Sequence, residues 1–211
     1  MSDLLEKIKE AIVGGRHGEI EALVQKALDE SNTPDRIVND AMIPGMDLVG
    51  HKFSTNEIFV PEMLVAAVTM NKGLEILKPM LQQSGSESKG TIVMCTVKGD
   101  LHDIGKNLVI MMLEGAGFEV IDMGVDMNAD TLIEKVKEIK PDILGLSALL
   151  TTTLPEMAKV IESLKAHGLR DQIKVMIGGA PVDTAYSDKI GADAYGKDAA
   201  QAVEIARELM N

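Results

Sequence analysis

Apolar residues recur at helical spacing through roughly the first eighty positions, after which the rhythm changes to short continuous apolar runs separated by longer amphipathic stretches. Leu4, Leu5, Ile8 and Ile12 share one face of a helix over about 3–13, and Ile20, Leu23, Val24 and Leu28 one face of a second over 17–29, with Gly14-Gly15 as the turn between them. Thr33-Pro34 is an N-cap followed by proline at the first helical position, opening a third helix through Ile37, Val38 and Met42. Pro44-Gly45 kinks or restarts it, because an interior proline removes a backbone donor and crowds the preceding turn; Met46, Leu48 and Val49 then carry the apolar face to about Phe53. A polar turn at 54–57 and the segment Ile58-Phe59-Val60-Pro61 lead into a long helix, 62–83, with Met63, Leu64, Ala67, Met70, Leu74, Leu77 and Leu81 on its apolar face. Such helices cover one another's apolar stripes, so 1–83 is expected to be a four- or five-helix bundle.

Residues 84–90 are small, polar and free of pattern, the composition of a linker. Beyond them, apolar runs at 91–97, 118–123, 142–149, 174–178 and 192–195 read as strands, and helical patterns fill the gaps at 104–116, 128–139, 155–167, 182–189 and 198–210. Regular alternation of this kind builds a parallel sheet covered by helices on both faces. The expectation for 91–211 is therefore an α/β domain, flavodoxin-like (Rossmann-like), with five parallel strands in the order 2-1-3-4-5 and a crevice between strands one and three.

Composition narrows the chemistry. Three Phe, two Tyr and no Trp leave the core to aliphatic residues and to fourteen Met, read here mainly as core filler. A net charge of −12 disfavours a phosphate-backbone ligand, so no nucleic-acid partner is expected. Cys95, the single cysteine, sits in an apolar run and allows no internal disulfide. The first residues lack a leader's apolar run, and no segment stays apolar for the ~20 residues that span a bilayer. A soluble cytoplasmic protein without membrane contact is expected.

Polar residues that could do chemistry gather at the carboxyl edge of the sheet, where open α/β sheets bind ligands. The loop after strand one carries Asp100 and His102, the loop after strand three Thr151, Thr152 and Thr153, and the loop after strand four Gly178-Gly179. A carboxylate two residues before a histidine can hold its Nδ1 proton and turn Nε2 outward, as for a metal-binding imidazole. Plainer readings compete: His102 simply solvated, Thr152 or Thr153 a helix N-cap, the glycine pair only a turn. His17, His51 and His167 are assigned to structure or solvent.

The joint pattern is more specific than its parts. Asp100-Leu101-His102-Asp103-Ile104-Gly105, then 147–153 (Ser-Ala-Leu-Leu-Thr-Thr-Thr), then Gly178-Gly179, resembles the corrinoid-binding domain of cobalamin-dependent methyltransferases. Upstream, 49–53 (Val-Gly-His-Lys-Phe) and 57–64 (Glu-Ile-Phe-Val-Pro-Glu-Met-Leu) resemble the helical cap domain of the same proteins. The resemblance runs from about residue 5 to 210 and is to the corrinoid proteins of methylamine, methanol or betaine methyltransferase systems, similar to the cobalamin module of methionine synthase.

The resemblance implies a cobalamin or related corrinoid held base-off and His-on, with His102 as the lower axial ligand to cobalt. Asp100 would stand behind the imidazole, and Thr153, where many relatives have Ser, would complete the relay; these three would carry the chemistry. Asp103, Ile104, Gly105, Ser147, Leu149, Thr151, Gly178 and Gly179 would complete the cofactor slot, with Phe53, Val60 and Met63 supplying apolar contacts from the cap. It further implies a methyl carrier: cobalt(I) accepts a methyl group through a substrate-specific methyltransferase, and methyl-cobalt(III) delivers it to a second methyltransferase acting on coenzyme M or tetrahydrofolate. A reductive activase would be a third partner. The chain itself is then a component of one-carbon metabolism or methanogenesis rather than a catalyst alone. The alternatives are a cobalamin-binding regulatory or sensor module, a mutase small subunit, or a flavodoxin-like domain without cobalt.

Overall fold

The apolar stripes of the first helices are buried in the structure, a computed structural model that describes residues 3–84 and 88–211. Helix α1 (Asp3–Val13) buries Leu4, Leu5, Ile8, Ala11 and Ile12, and α2 (Ile20–Asp29) buries Ile20, Val24 and Ala27, starting later than expected because 14–19 turn back on themselves. Thr33 caps α3 (Pro34–Ile37), its hydroxyl accepting the Arg36 N–H. The irregularity expected at Pro44-Gly45 falls one turn earlier. Val38–Met42 forms a widened π turn in which the Ile43 N–H reaches the Val38 carbonyl, and α4 runs from Ile43 to Ser54. The physical reason is that Pro44 has no N–H to offer the carbonyl four residues back, so the chain loosens just ahead of it. Helix α5 (Val60–Ser84) begins two residues sooner than expected: Pro61 is tolerated in a first turn, and the Glu62 carboxylate accepts the Phe59 N–H at 3.1 Å. Helices α1 and α4 pack together, and α2 and α4 each pack on α5.

The second half alternates as the periodicity predicts: β1 (Thr91–Thr96), α6 (Ile104–Gly115), β2 (Glu119–Asp122), α7 (Ala129–Ile139), β3 (Ile143–Ser147), α8 (Leu154–Ala166), β4 (Lys174–Gly178), α9 (Thr184–Ile190), β5 (Ala194–Gly196) and α10 (Ala199–Leu209). The strands pair in parallel in the order β2-β1-β3-β4-β5. Register sets Thr96 beside Ser147, Ser147 beside Gly178 and Gly178 beside Gly196, so the loops that follow these strands leave the sheet from one row. Strand β3 stops at Ser147 instead of 149, since the next two free N–H groups, those of Leu149 and Leu150, go to a carboxylate rather than to a neighbouring strand. Val93, Cys95, Leu144, Leu146 and Ile177 from the sheet form a core with Leu132 and Val136 of α7 and Met157 and Ile161 of α8. Burial pushes the Cys95 thiol up to about 12, which makes it an inert core side chain.

Contacts divide the chain into two compact units, Met1–Ser88 with Gly115–Gly117, and Lys89–Glu114 with Phe118–Asn211. The stretch expected to be a linker, 84–90, lies partly outside the described residues, at 85–87. The methionines largely fill core: Met42, Met46, Met63 and Met70 are buried in the helical unit, and Met94, Met112, Met157 and Met176 in the sheet unit. Among the described residues, no helix is long and apolar enough to cross a membrane.

Candidate functional site

Where β1 ends, the chain turns sharply through Gly99, whose φ of +80° lies in the left-handed region that glycine adopts freely. The turn drives the next side chain, Asp100, inward, and its carboxylate is completely buried. An ionised buried carboxylate is tolerated only when its lone pairs are satisfied, and five donors meet this one. Oδ1 accepts the His102 backbone N–H at 3.1 Å and the His102 ring Nδ1–H at 2.7 Å. Oδ2 accepts the N–H groups of Leu149 (2.7 Å) and Leu150 (3.2 Å) and lies 2.9 Å from the Thr153 hydroxyl. Burial by itself raises the Asp100 carboxyl, but the bonds from the His102 ring, the Leu149 and His102 N–H groups and Thr153 outweigh it and hold the group well below the usual carboxylate range.

An ionised carboxylate only accepts, so the imidazole proton resides on Nδ1 and the lone pair of the neutral ring on Nε2. The ring is half exposed, at 51% of its side-chain surface, while Asp100 beneath it is at 0%. A basic nitrogen is thus fixed in orientation and open to a ligand. The competing assignment of Thr153 as an N-cap fails on geometry. It occupies the residue before α8, but its side chain makes no capping bond there and serves Asp100 instead.

Exposed apolar residues lie close to His102 in the chain or on the same carboxylate: Leu101 just before it and Ile104 two residues after it are 71% and 75% exposed, and Leu149 and Leu150, whose N–H groups meet Asp100, are 43% and 39% exposed, while Asp103, between His102 and Ile104, is exposed as well. Gly105 opens space beside them, for a Cβ built there would meet nothing within 4 Å. Among the described residues no three His, Cys, Asp or Glu side chains converge to hold a metal ion. A single open imidazole with exposed apolar side chains nearby in the chain fits a metal that arrives already held by an organic group of its own.

The other expected site residues divide by position. Ser147 is half-buried and Thr151 exposed, both at the same sheet edge. Asp103 accepts the side-chain amide of Asn107 at 3.2 Å in the first turn of α6. Gly179 is required by the protein itself: its φ is +131°, and a Cβ would fall 1.8 Å from the Ala148 carbonyl oxygen. Met63, expected as a cofactor contact, is 1% exposed and belongs to the core of the helical unit, where Phe53 is half-buried and Val60 is 37% exposed. His17 and His167 bond the carbonyls of Gly15 and Ser163.

Sequence reasoning missed two features. The N–H groups of Leu149 and Leu150 carry no side-chain signature. Lys106 is 2% exposed, its ammonium 2.6 Å from both oxygens of Asp122 and 2.8 Å from Asn107 Oδ1. Its place, ahead of the apolar run 108–113 in a helix with no other basic residue, is the signal that could have marked a buried cation.

A parallel sheet with an aspartate-held imidazole at its carboxyl edge defines a class. The sequence model of the B12 binding domain matches residues 90–204, and a second model of the same description matches residues 4–78. The chain belongs to the B12-binding family. More particularly, it is 45% identical over 209 residues to dimethylamine corrinoid protein 1 of Methanosarcina acetivorans, covering 99% of this chain and 98% of that one. It is 41% identical over 211 residues to the trimethylamine corrinoid protein of Methanosarcina barkeri, covering 99% and 97%. The crystal structure of the methanol:cobalamin methyltransferase complex MtaBC from Methanosarcina barkeri matches with a TM-score of 0.88 and 31% identity, over 99% of this chain and 80% of that one.

Proposed function

We propose that this chain is a corrinoid methyl carrier that works between two methyltransferases. The observation that carries the reading is the 2.7 Å bond from His102 Nδ1 to a buried, five-fold hydrogen-bonded Asp100, which leaves Nε2 as an axial donor. When bound, the corrinoid supplies a cobalt centre that takes up a methyl group and passes it on. His102 would hold the corrinoid through Nε2, with Asp100 keeping the ring in the tautomer that can ligate. Thr153 and the Leu149 and Leu150 N–H groups fix the carboxylate, so the Nδ1 proton has one defined acceptor, Oδ1. Leu101, Ile104, Leu149 and Leu150, exposed at this edge, would give the corrinoid apolar contacts, and Asp103, Gly105, Ser147, Thr151, Gly178 and Gly179 would complete its slot.

Near full-length similarity to proteins named for dimethylamine and trimethylamine supports a simple methylated amine as the methyl source, delivered by a substrate-specific methyltransferase. A second methyltransferase receives the group, and a reductive activase restores the cofactor after oxidation.

Mixing the chain with hydroxocobalamin and removing free ligand tests the reading. A retained red chromophore is expected, and in 15N-histidine-labelled protein the nitrogen splitting in the electron paramagnetic resonance spectrum of the cobalt(II) form should be a doublet, which His102→Ala abolishes. A colourless protein, or a doublet unchanged in the variant, overturns it.

A further inference from the structure

Asp100 holds the His102 ring and its main-chain N–H, but the His102 carbonyl is held from elsewhere. The His102 carbonyl accepts a hydrogen bond from the Thr96 hydroxyl at 2.9 Å. Thr96 is the last residue of β1 and is fully buried, a polar side chain in a strand whose other buried members are apolar. Its backbone is equally committed: the N–H donates to the Gly124 carbonyl at 2.9 Å and the carbonyl accepts the Met127 N–H at 3.1 Å. Thr96 is therefore a rigid post, with both backbone groups tied into the loop after β2 and its hydroxyl on the residue that presents the imidazole.

That loop is anchored in turn. Asp122 Oδ1 accepts the Gly124 N–H at 2.8 Å while both its oxygens hold the buried Lys106 ammonium. Asp126 Oδ1 accepts the Gly99 N–H at 2.7 Å, and its own N–H donates to the Asp100 carbonyl at 3.1 Å. The segment 97–102 is thus gripped on two sides, through the Asp100 carboxylate by the loop after β3 and through Thr96 and Asp126 by the loop after β2.

We propose that Thr96 is a positioning residue for His102, holding its main-chain carbonyl while Asp100 holds its N–H and ring, so that Nε2 is presented to the metal in one orientation. This rests on His102 being the ligand. With the hydroxyl removed, the His102 carbonyl loses its buried partner, and the segment 101–103 gains freedom to carry the ring off its axis. One neutral hydrogen bond of this kind is worth a factor of about five in the equilibrium between bound and unbound imidazole.

The test loads 15N-histidine-labelled wild type, Thr96→Val and Thr96→Ser with hydroxocobalamin, reduces each to cobalt(II), and measures by electron paramagnetic resonance the ratio of the signal split into doublets by histidine 15N to the remainder. Thr96→Val is expected to retain the corrinoid and lower the ratio about fivefold, and Thr96→Ser to restore it to within about twofold. An unchanged ratio in Thr96→Val, or a Ser variant as impaired as Val, overturns the proposal. If Thr96→Val does not fold, Thr96→Ala against Thr96→Ser makes the same comparison of absent and present hydroxyl. Failure of the underlying reading has a different signature, since wild type itself would then show only the splitting of the corrinoid's own base, with no response to 15N-histidine.

Discussion

Thr153 occupies the N-cap position of α8, yet its hydroxyl lies 2.9 Å from Asp100 Oδ2, fifty-three residues away in the chain, and bonds no N–H of its own helix. The same oxygen is 2.9 Å from the Leu150 carbonyl, so one proton is shared between a neutral and a charged acceptor. The charged one is the stronger partner. A helix start is thereby used to fix a carboxylate instead of closing a helix.

Replacing this hydroxyl by a methyl group separates the two roles. Thr153→Val keeps the shape and leaves Asp100 Oδ2 with two backbone donors; it should cost about 1–2 kcal/mol of unfolding free energy in the ligand-free chain. Thr153→Ser should lie within about 0.5 kcal/mol of wild type. Urea unfolding measures both, and a Val variant as stable as wild type would mean that the hydroxyl contributes nothing to the carboxylate.

Acid should reveal the same network. The Asp100 carboxyl is held below its ordinary value in the folded chain, so on acidification the unfolded chain takes up this proton first. The stabilisation from Asp100 is then complete above the ordinary carboxylate value of about 4 and is lost as pH falls from there toward the folded-state value. Asp100→Asn has no carboxyl to titrate at this site. The stability difference between wild type and this variant, measured by urea unfolding of the ligand-free proteins from about pH 7 to pH 3, should shrink below about pH 4. A difference that stays constant over that range refutes the assignment.

The ion pair between Lys106 and Asp122 is asymmetric, since the lysine side chain is 1% exposed and the aspartate 41%. Removing the buried member frees a carboxylate that can return to water, whereas removing the carboxylate strands a buried ammonium. Lys106→Met should therefore cost no more than about 1 kcal/mol, and Asp122→Ala about 3 kcal/mol, in chemical unfolding. Equal losses, or the reverse order, would show that the pair's burial does not set its energetics.

The fold was legible because its periodicities are clean. The helical stripe of Leu4, Leu5, Ile8 and Ile12 and the continuous run at 91–97 each admit one reading, and the alternation that follows constrains a parallel sheet to few orders. Boundaries slipped where main-chain groups are satisfied by something other than a neighbouring strand or helical turn. Strand β3 ends early because Asp100 takes two N–H groups, and the break expected at Pro44 moved into the π turn before it. At the site, His102, Asp100 and Thr153 were legible as a motif. The Thr96 hydroxyl was not, because a threonine at the end of an apolar run fits a strand by propensity alone, and only three-dimensional proximity joins it to the His102 carbonyl. Met63 lies one turn on from Val60 in α5, and the sequence pattern alone does not separate the buried position from the 37% exposed one.

Two glycines at the sheet edge should behave in opposite ways. Gly179→Ala places a Cβ 1.8 Å from the Ala148 carbonyl oxygen at a φ of +131°, so the backbone of two loops must shift. A loss of more than about 2 kcal/mol in stability is expected even without ligand. Gly105→Ala meets no atom within 4 Å and sits in the first turn of α6, where alanine is the better helix former. The ligand-free variant should be as stable as wild type or up to about 1 kcal/mol more so. Its methyl group would nevertheless stand in the space assigned to the corrinoid, so retention of hydroxocobalamin should fall on the order of tenfold, an estimate that follows from about 1.4 kcal/mol of steric cost. Thermal unfolding of the free chains and equilibrium titration of the cofactor measure the two effects separately. A Gly105→Ala variant that binds as tightly as wild type would remove this glycine from the cofactor slot.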